Sequence, residues 1–398
     1  MFRDKTKRAQ KRLESLPCLA LQAEQVEFIY SPMAFKNEII QLIRQAKTRI
    51  FVTALYWQND EAGQEILDEI YRAKQDKPEL EVKILIDWHR AQRNLLGAEK
   101  SATNADWYCE QRQKYQLADD PNLFFGVPIN TREVFGVLHI KGFVFDDTVL
   151  YSGASINNVY LQQNEKYRYD RYQKITHPQL ADSMVAFIRD FLLNSDVVLP
   201  LDSVNRPKTK EIRQNIRHFR KNLALNGQYK LSSAVDFGNE LTVTPLFGLG
   251  STGNVLNCTI EDLFQLVDEK LTICTPYFNF PRTLQQKIRH LLRKGKKIEI
   301  IVGDKVANDF YISPEQPFKM VGALPYLYEN NLRRFSKKFE REMAQGQLTI
   351  RTWKDGTNTY HLKGVWIDDN YILLTGNNLN PRAWRLDAEN GLFIHDPK

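Results

Sequence analysis

Apolar positions fall at helical spacing across Phe35–Lys47, and the run RIFVTALYW (Arg49–Trp57) that follows is apolar almost throughout. A second helical stretch, Gln64–Lys74, leads into LEVKILIDW (Leu80–Trp88). The same order returns later. Ile260–Glu269 predicts a helix, KLTICTPYF (Lys270–Phe278) a strand, Thr283–Lys294 a helix with Gly295 as its C-cap, and KIEIIVGD (Lys297–Asp304) a strand. Strands of this kind, alternating with helices, predict a largely buried sheet covered on both faces, an α/β fold.

The second half also repeats a more specific segment. HIKGFVFDD starts at His139 and HLKGVWIDD at His361; Tyr56 aligns with Tyr277 at an offset of 221, and the two histidines align at 222. So steady an offset predicts duplicated domains, residues 1–200 and 231–398, each presenting one copy of the motif. The connector, residues 201–230, is basic and predicted helical. Ile212, Ile216, Phe219 and Leu223 form one stripe, flanked by Lys210, Arg213, Arg217, Arg220 and Lys221. Two readings fit that pattern: a helix docked on the core with a solvated basic face, or one lying on anionic lipid.

Charge narrows the partners without choosing one. The 398 residues include 55 basic and 48 acidic side chains, a net +7, which fits a phospholipid headgroup, an acidic membrane surface or nucleic acid. Cys18, Cys109, Cys258 and Cys274 are scattered and form no C-x-x-C pair, which predicts neither a disulfide scaffold nor a structural zinc site and fits a reducing compartment. The basic N-terminal stretch Arg3–Arg12 lacks the apolar core of a signal peptide, and no run of about 18 apolar residues predicts a transmembrane helix. A cytoplasmic protein is expected, with any membrane contact peripheral.

The repeated segment carries chemistry. In an extended chain His139 and Lys141 share a face, as do His361 and Lys363. Asp146-Asp147 and Asp368-Asp369 fall where each strand turns back, and the returning strands VLYSGAS and YILLTGNN end in a glycine and small polar residues that let donors approach an anion. Two histidines and two lysines converging on one phosphorus supply what phosphodiester exchange needs: a nucleophile, an acid/base and charge stabilisation. No cofactor or metal is expected. Arg90 and Arg93, just past the strand end in DWHRAQR, are candidates for holding a diphosphate or nucleotide, with surface salt bridges as the plainer reading.

H-x-K-x-x-x-x-D present twice (His139–Asp146 and His361–Asp368) resembles the phospholipase D superfamily. DWHRAQR, TNADWYC, GVPINTRE, KYRYDRY, TPYFNFP, GALPYLYE and NNLNPRAWRLD further resemble the Gram-negative phosphatidylserine synthases over nearly the whole chain. The resemblance implies two α/β/α sandwich domains related by a pseudo-twofold axis, with the active site between them. It implies CDP-diacylglycerol and L-serine as substrates, an anionic membrane surface as partner, and attachment to the inner face of the cytoplasmic membrane. By it His139, Lys141, Asp146, His361, Lys363 and Asp368 are catalytic, and Asp170 and Glu389, each downstream of a motif, orient the imidazoles. Ser155, Asn157, Asn378 and Asn380 would contact substrate. The family usually assigns the nucleophile to the first histidine, but the residues alone leave open which one attacks. Synthases of this kind continue into a further basic segment beyond the point corresponding to Lys398, so the expectation is either a truncated sequence or membrane attachment that relies more heavily on the rest. The competing readings are a superfamily phospholipase or cardiolipin-type synthase, a nuclease, or a binding protein with a dead site.

Overall fold

A computed structural model describes residues 2–94, 101–238, 240–317 and 319–397, with the side chains of residues 2–4 left aside. It contains two eight-stranded mixed sheets. In the first, the strands run Leu199–Pro200, Phe124–Val127, Glu81–Asp87, Arg49–Ala54, Gly142–Phe145, Thr148–Ser152, Tyr172–Thr176 and Val26–Ile29. In the second they run Leu19–Ala20, Thr242–Gly248, Glu389–His395, Tyr371–Thr375, Gly364–Ile367, Lys270–Thr275, Lys297–Gly303 and Leu348–Trp353.

The duplication read from the sequence extends to strand register. Arg49–Ala54 pairs parallel with Glu81–Asp87 and antiparallel with Gly142–Phe145, setting Ile50 opposite Phe145 and Thr53 opposite Gly142. Lys270–Thr275 pairs parallel with Lys297–Gly303 and antiparallel with Gly364–Ile367, setting Leu271 opposite Ile367 and Cys274 opposite Gly364. Each motif therefore feeds the antiparallel strand beside the first parallel one.

Helices Pro32–Gln45 and Glu61–Asp76 cover one face of the first sheet, started by Ser31 and Asp60, whose side chains accept from the Ala34 and Gly63 amides. In the second half Val255–Leu266, capped by Asn254, begins five residues before the predicted helix, while Arg282–Arg293 matches the predicted one to within a residue. Three apolar cores result. The central one draws Phe51, Val144 and Tyr151 from the first sheet and Val243, Leu374 and Ile394 from the second, so the inner faces of the lobes share a single core.

Two expectations change. Helix Phe2–Glu14 and strand Leu19–Ala20 dock on the second lobe, not the first: Leu19 pairs with Val243, Leu13 packs in the second lobe's core, and Arg12 is bidentate to Asp262. The connector forms helix Arg213–Asn226, whose Ile216, Phe219 and Leu223 are buried in the shared core. Its apolar face is covered by protein, which excludes the lipid-facing reading of that stripe. Among the described residues no helix is long and apolar enough to cross a membrane, and all four cysteines are free.

Candidate active site

Both motifs lie in extended segments just before their strands, which start at Gly142 and Gly364. Each segment is held by the other lobe. The His139 amide donates to the Ala388 carbonyl (2.9 Å), and the His361 amide to the Tyr169 carbonyl (2.8 Å). The Asn390 side chain brackets Lys141, accepting from its amide (2.8 Å) and donating to its carbonyl (2.7 Å); Arg171 Nε donates to the Lys363 carbonyl (3.1 Å). Satisfying these buried peptide groups across the interface fixes where the side chains begin.

The imidazoles are wired the same way. His139 Nδ1 meets Glu389 at 2.8 and 2.9 Å, and His361 Nδ1 meets Asp170 at 2.7 Å. Each histidine thus takes its orienting carboxylate from the opposite lobe, whereas the sequence order had suggested one within the same half. Lys363 Nζ lies 2.8 Å from His361 Nε2, and the Tyr160 hydroxyl 3.1 Å from the same nitrogen. His139, Lys141, His361 and Lys363 are all buried, as are both carboxylates.

Burial sets the charges. It lowers His139 well below an ordinary imidazole, helped by Lys141 and Lys363, and takes His361 down to about 4 with help from Lys363. Both shifts favour the neutral rings. Burial also lowers Lys141 to about 8 and Lys363 to about 7. The carboxylates diverge. Burial and the neighbouring Asp387 push Glu389 well above the usual range, whereas at Asp170 burial is outweighed by Lys363 and the His361 hydrogen bond, which hold it below that range.

The motif aspartates stand apart from this cluster. Asp146 accepts from the amides of Lys47, Thr48 and Arg49 (2.8, 2.8 and 3.0 Å); Asp368 accepts from those of Asp268, Glu269 and Lys270 (3.0, 2.7 and 2.8 Å). Four strand residues, a rise of roughly 16 Å from end to end, separate each from its lysine. A catalytic role for them gives way to a structural one: each caps the unpaired amides leading into the neighbouring parallel strand. Both sit in the hairpin turn at φ 49°, which Asp tolerates better than most residues.

Other expected site residues divide. Asn157 and Asn380 spend their side-chain oxygens on the Tyr160 and Ala383 amides, and Asn380 caps helix Pro381–Arg385. Ser155 is buried, and the Asn378 Oδ1 is buried without a partner. Arg93 is bidentate to Glu133, and Arg90 lies 3.6 Å from that carboxylate with its guanidinium over the Tyr56 ring. The glycines ending the returning strands serve a different purpose from the one expected. A Cβ at Gly153 would lie 2.6 Å from Asp170 Oδ2 and 2.9 Å from Lys363 Nζ, and one at Gly376 2.8 Å from Lys141 Cγ. The missing side chains make room for the opposite lobe's lysine.

The CDP-diacylglycerol–serine O-phosphatidyltransferase of Haemophilus influenzae is 75% identical over 398 residues, spanning all of this chain and 88% of that protein. The chain belongs to the phosphatidylserine synthase family. The Escherichia coli enzyme of the same name is 52% identical over 99% of this chain and 86% of its own length. The crystal structure of the H. influenzae phosphatidylserine synthase superposes with a TM-score of 0.97, covering 99% of this chain and 87% of that one. A family model described as "Cardiolipin synthase, PLD-like domain" matches residues 261–398, the part holding the second motif. Measured against this synthase fold, the sequence reading did not single out Tyr160, Asp309 or Asn390. Arg168 and Arg171 lie within KYRYDRY, a segment it did quote, but no spacing in the chain links Asp309 or Tyr160 to His361.

Proposed function

We propose that this chain transfers the phosphatidyl group of CDP-diacylglycerol to the hydroxyl of L-serine, releasing CMP, through a phosphatidyl-histidine intermediate and without a metal. The observation that carries the reading is the pair of buried His/Lys sets, each histidine tied to a carboxylate of the opposite lobe. The names of relatives 75% and 52% identical support the substrates. His139 Nε2 attacks phosphorus, and the bond to the CMP oxygen breaks. CMP departs as a phosphate monoester with a second pKa of about 6, so it needs little protonation. Lys141 and Lys363 carry the charge of the non-bridging oxygens. His361 Nε2 then takes the serine proton as the serine oxygen displaces His139, and ionised Asp170 stabilises the imidazolium that forms. The test supplies CDP-diacylglycerol in mixed micelles with EDTA, with and without serine. Phosphatidylserine and CMP in equal amounts are expected; phosphatidate alone would make the chain a hydrolase.

The lipid substrate requires a face that meets the bilayer, on the cytoplasmic side of the membrane. Met320 is 87% exposed, and Tyr326 and Leu327 are exposed in the first turn of helix Leu324–Lys338, which also carries Arg334, Lys337 and Lys338. Val134 and Phe135 are exposed beside the Arg93–Glu133 pair. Each basic residue near an anionic surface contributes about 1 kcal/mol. Cosedimentation with anionic vesicles should weaken with salt, and equal binding to neutral vesicles would remove the electrostatic part of the reading.

A further inference from the structure

Beside the phosphoryl-transfer residues stands an ion pair that the chemistry above does not use. Arg168, on the short strand Arg168–Tyr169, has only 12% of its side chain exposed, and its Nη1 lies 3.3 Å from Asp309 Oδ2. Its Nε donates to Thr359 Oγ1 (3.1 Å), and its guanidinium sits 4.6 Å from the centre of the Tyr160 ring. That ring stands edge-on to His361 at 5.2 Å, with its hydroxyl on the imidazole. Asp309 is close enough to His361 and Lys363 to act on both electrostatically. Its Oδ1 is buried and accepts no hydrogen bond, although the Tyr277 hydroxyl is near enough to perturb it.

A buried ion pair costs several kcal/mol of desolvation per ion and seldom stabilises a fold as well as apolar packing would. An unfilled carboxylate oxygen within such a pair adds to that cost. Side by side, the pair offers one cation with a planar fork and one anion with a free acceptor. This is the complement of a zwitterion, whose carboxylate the guanidinium can hold and whose ammonium can fill Asp309 Oδ1.

Resting on serine as the acceptor, we infer that Arg168 and Asp309 form the acceptor subsite, binding the α-carboxylate and α-ammonium of the free amino acid with its hydroxyl directed at His361. The scale fits. Carboxyl carbon, Cα, Cβ and Oγ are joined by three bonds of about 1.5 Å, a reach of roughly 4 Å, comparable to the single aromatic ring between the pair and the imidazole. The subsite also explains how a buried phosphatidyl-enzyme prefers serine to water: a polar site rejects molecules that leave its groups unpaired far more strongly than an apolar pocket rejects a misfit.

The test uses the full chain and three acceptors: L-serine, ethanolamine (no carboxylate) and 3-hydroxypropionate (no ammonium). For each, the ratio of phosphatidyl transfer to hydrolysis by water is measured, which cancels changes in forming the intermediate. Arg168→Gln should cut the preference for serine over ethanolamine by at least tenfold and leave the preference over 3-hydroxypropionate less affected. Asp309→Asn should do the reverse. If Asp309→Asn lacks a cooperative melting transition, Arg168→Lys carries the test: it keeps the charge, loses the fork, and should still erode selectivity against ethanolamine. Unchanged preferences in folded variants would overturn the subsite. So would a pattern in which both selectivities persist while CMP–CDP-diacylglycerol exchange collapses, since the pair would then hold the donor. If the unsubstituted chain makes no phosphatidylserine, the proposed reaction fails and the subsite with it.

Discussion

The two histidine–carboxylate pairs have nearly the same geometry and different surroundings. His361 has an aspartate held ionised by Lys363, a tyrosine hydroxyl on its ring, and the Arg168–Asp309 pair one ring away. His139 has a glutamate that burial and Asp387 drive toward its neutral form, and the arginine whose charge acts on both is Arg382. A neutral imidazole against an ionised carboxylate is ready to accept a proton at Nε2. Equal geometry therefore need not mean equal roles; the neighbours beyond the duplicated motif separate a base from a nucleophile.

The sharpest way to break this comparison is to remove each ring in turn. His139→Ala should lower phosphatidylserine formation by about 10⁴-fold or more and abolish CMP release. His361→Ala should lower turnover by about 10²–10⁴-fold, the usual worth of an acid/base group, while a burst of CMP survives and a lipid adduct accumulates. Mass analysis after a single-turnover quench reads the outcome, and an adduct on His361 in His139→Ala would reverse the assignment.

A pH profile tests the difference between the carboxylates with a smaller effect. Glu389 is raised, so its dyad reaches the form with a free Nε2 only as pH rises. Lys363, at about 7, and Lys141, at about 8, lose their charge as pH rises further. In the free enzyme kcat/KM should therefore rise on the acid side as the Glu389 dyad loses its proton and fall on the alkaline side from about pH 7. The bound diphosphate favours charged lysines, so the alkaline limb of kcat should lie at higher pH. A Glu389→Gln variant should lose the acid limb, whereas Asp170→Asn should lower the rate and keep it.

The smallest effect belongs to the motif aspartates. Asp146→Asn and Asp368→Asn should each cost about 1–2 kcal/mol of stability, as lost caps do, and leave the pH profile in place. Denaturant melts and the same pH titration check this; a change in profile without a change in stability would return these residues to the chemistry.

The His-x-Lys repeats were legible because two residues on one face of an extended segment make a local pattern, and duplication made the pattern improbable by chance. The offset carries over to the antiparallel partner of each first strand, where Phe145 and Ile367 lie 222 apart, but not to the parallel partner, where Val82 and Ile298 lie 216 apart. The crossing of the carboxylates was not legible, since no local rule says that a glutamate 250 residues away will face His139. The place of Asp146 and Asp368 at the turn was legible, and it already set them a strand's length from the histidines; only the family resemblance had made them catalytic. The connector's stripe was ambiguous in principle: a helix buried in protein and one buried in lipid show water the same polar face.

The crossed wiring has a consequence for inheritance. The site is not the sum of two halves, each of which could be exchanged intact. A recombination event in the connector would part His139 from Glu389 and His361 from Asp170 in a single step, and would also reassort the Lys141–Asn390 and Lys363–Arg171 clasps. One dyad closes with the longer glutamate and the other with the shorter aspartate, so a half taken from a lineage with those lengths exchanged would arrive with the wrong reach. Selection therefore acts on residues 139, 170, 361 and 389 as one linked character, however far apart they lie along the gene.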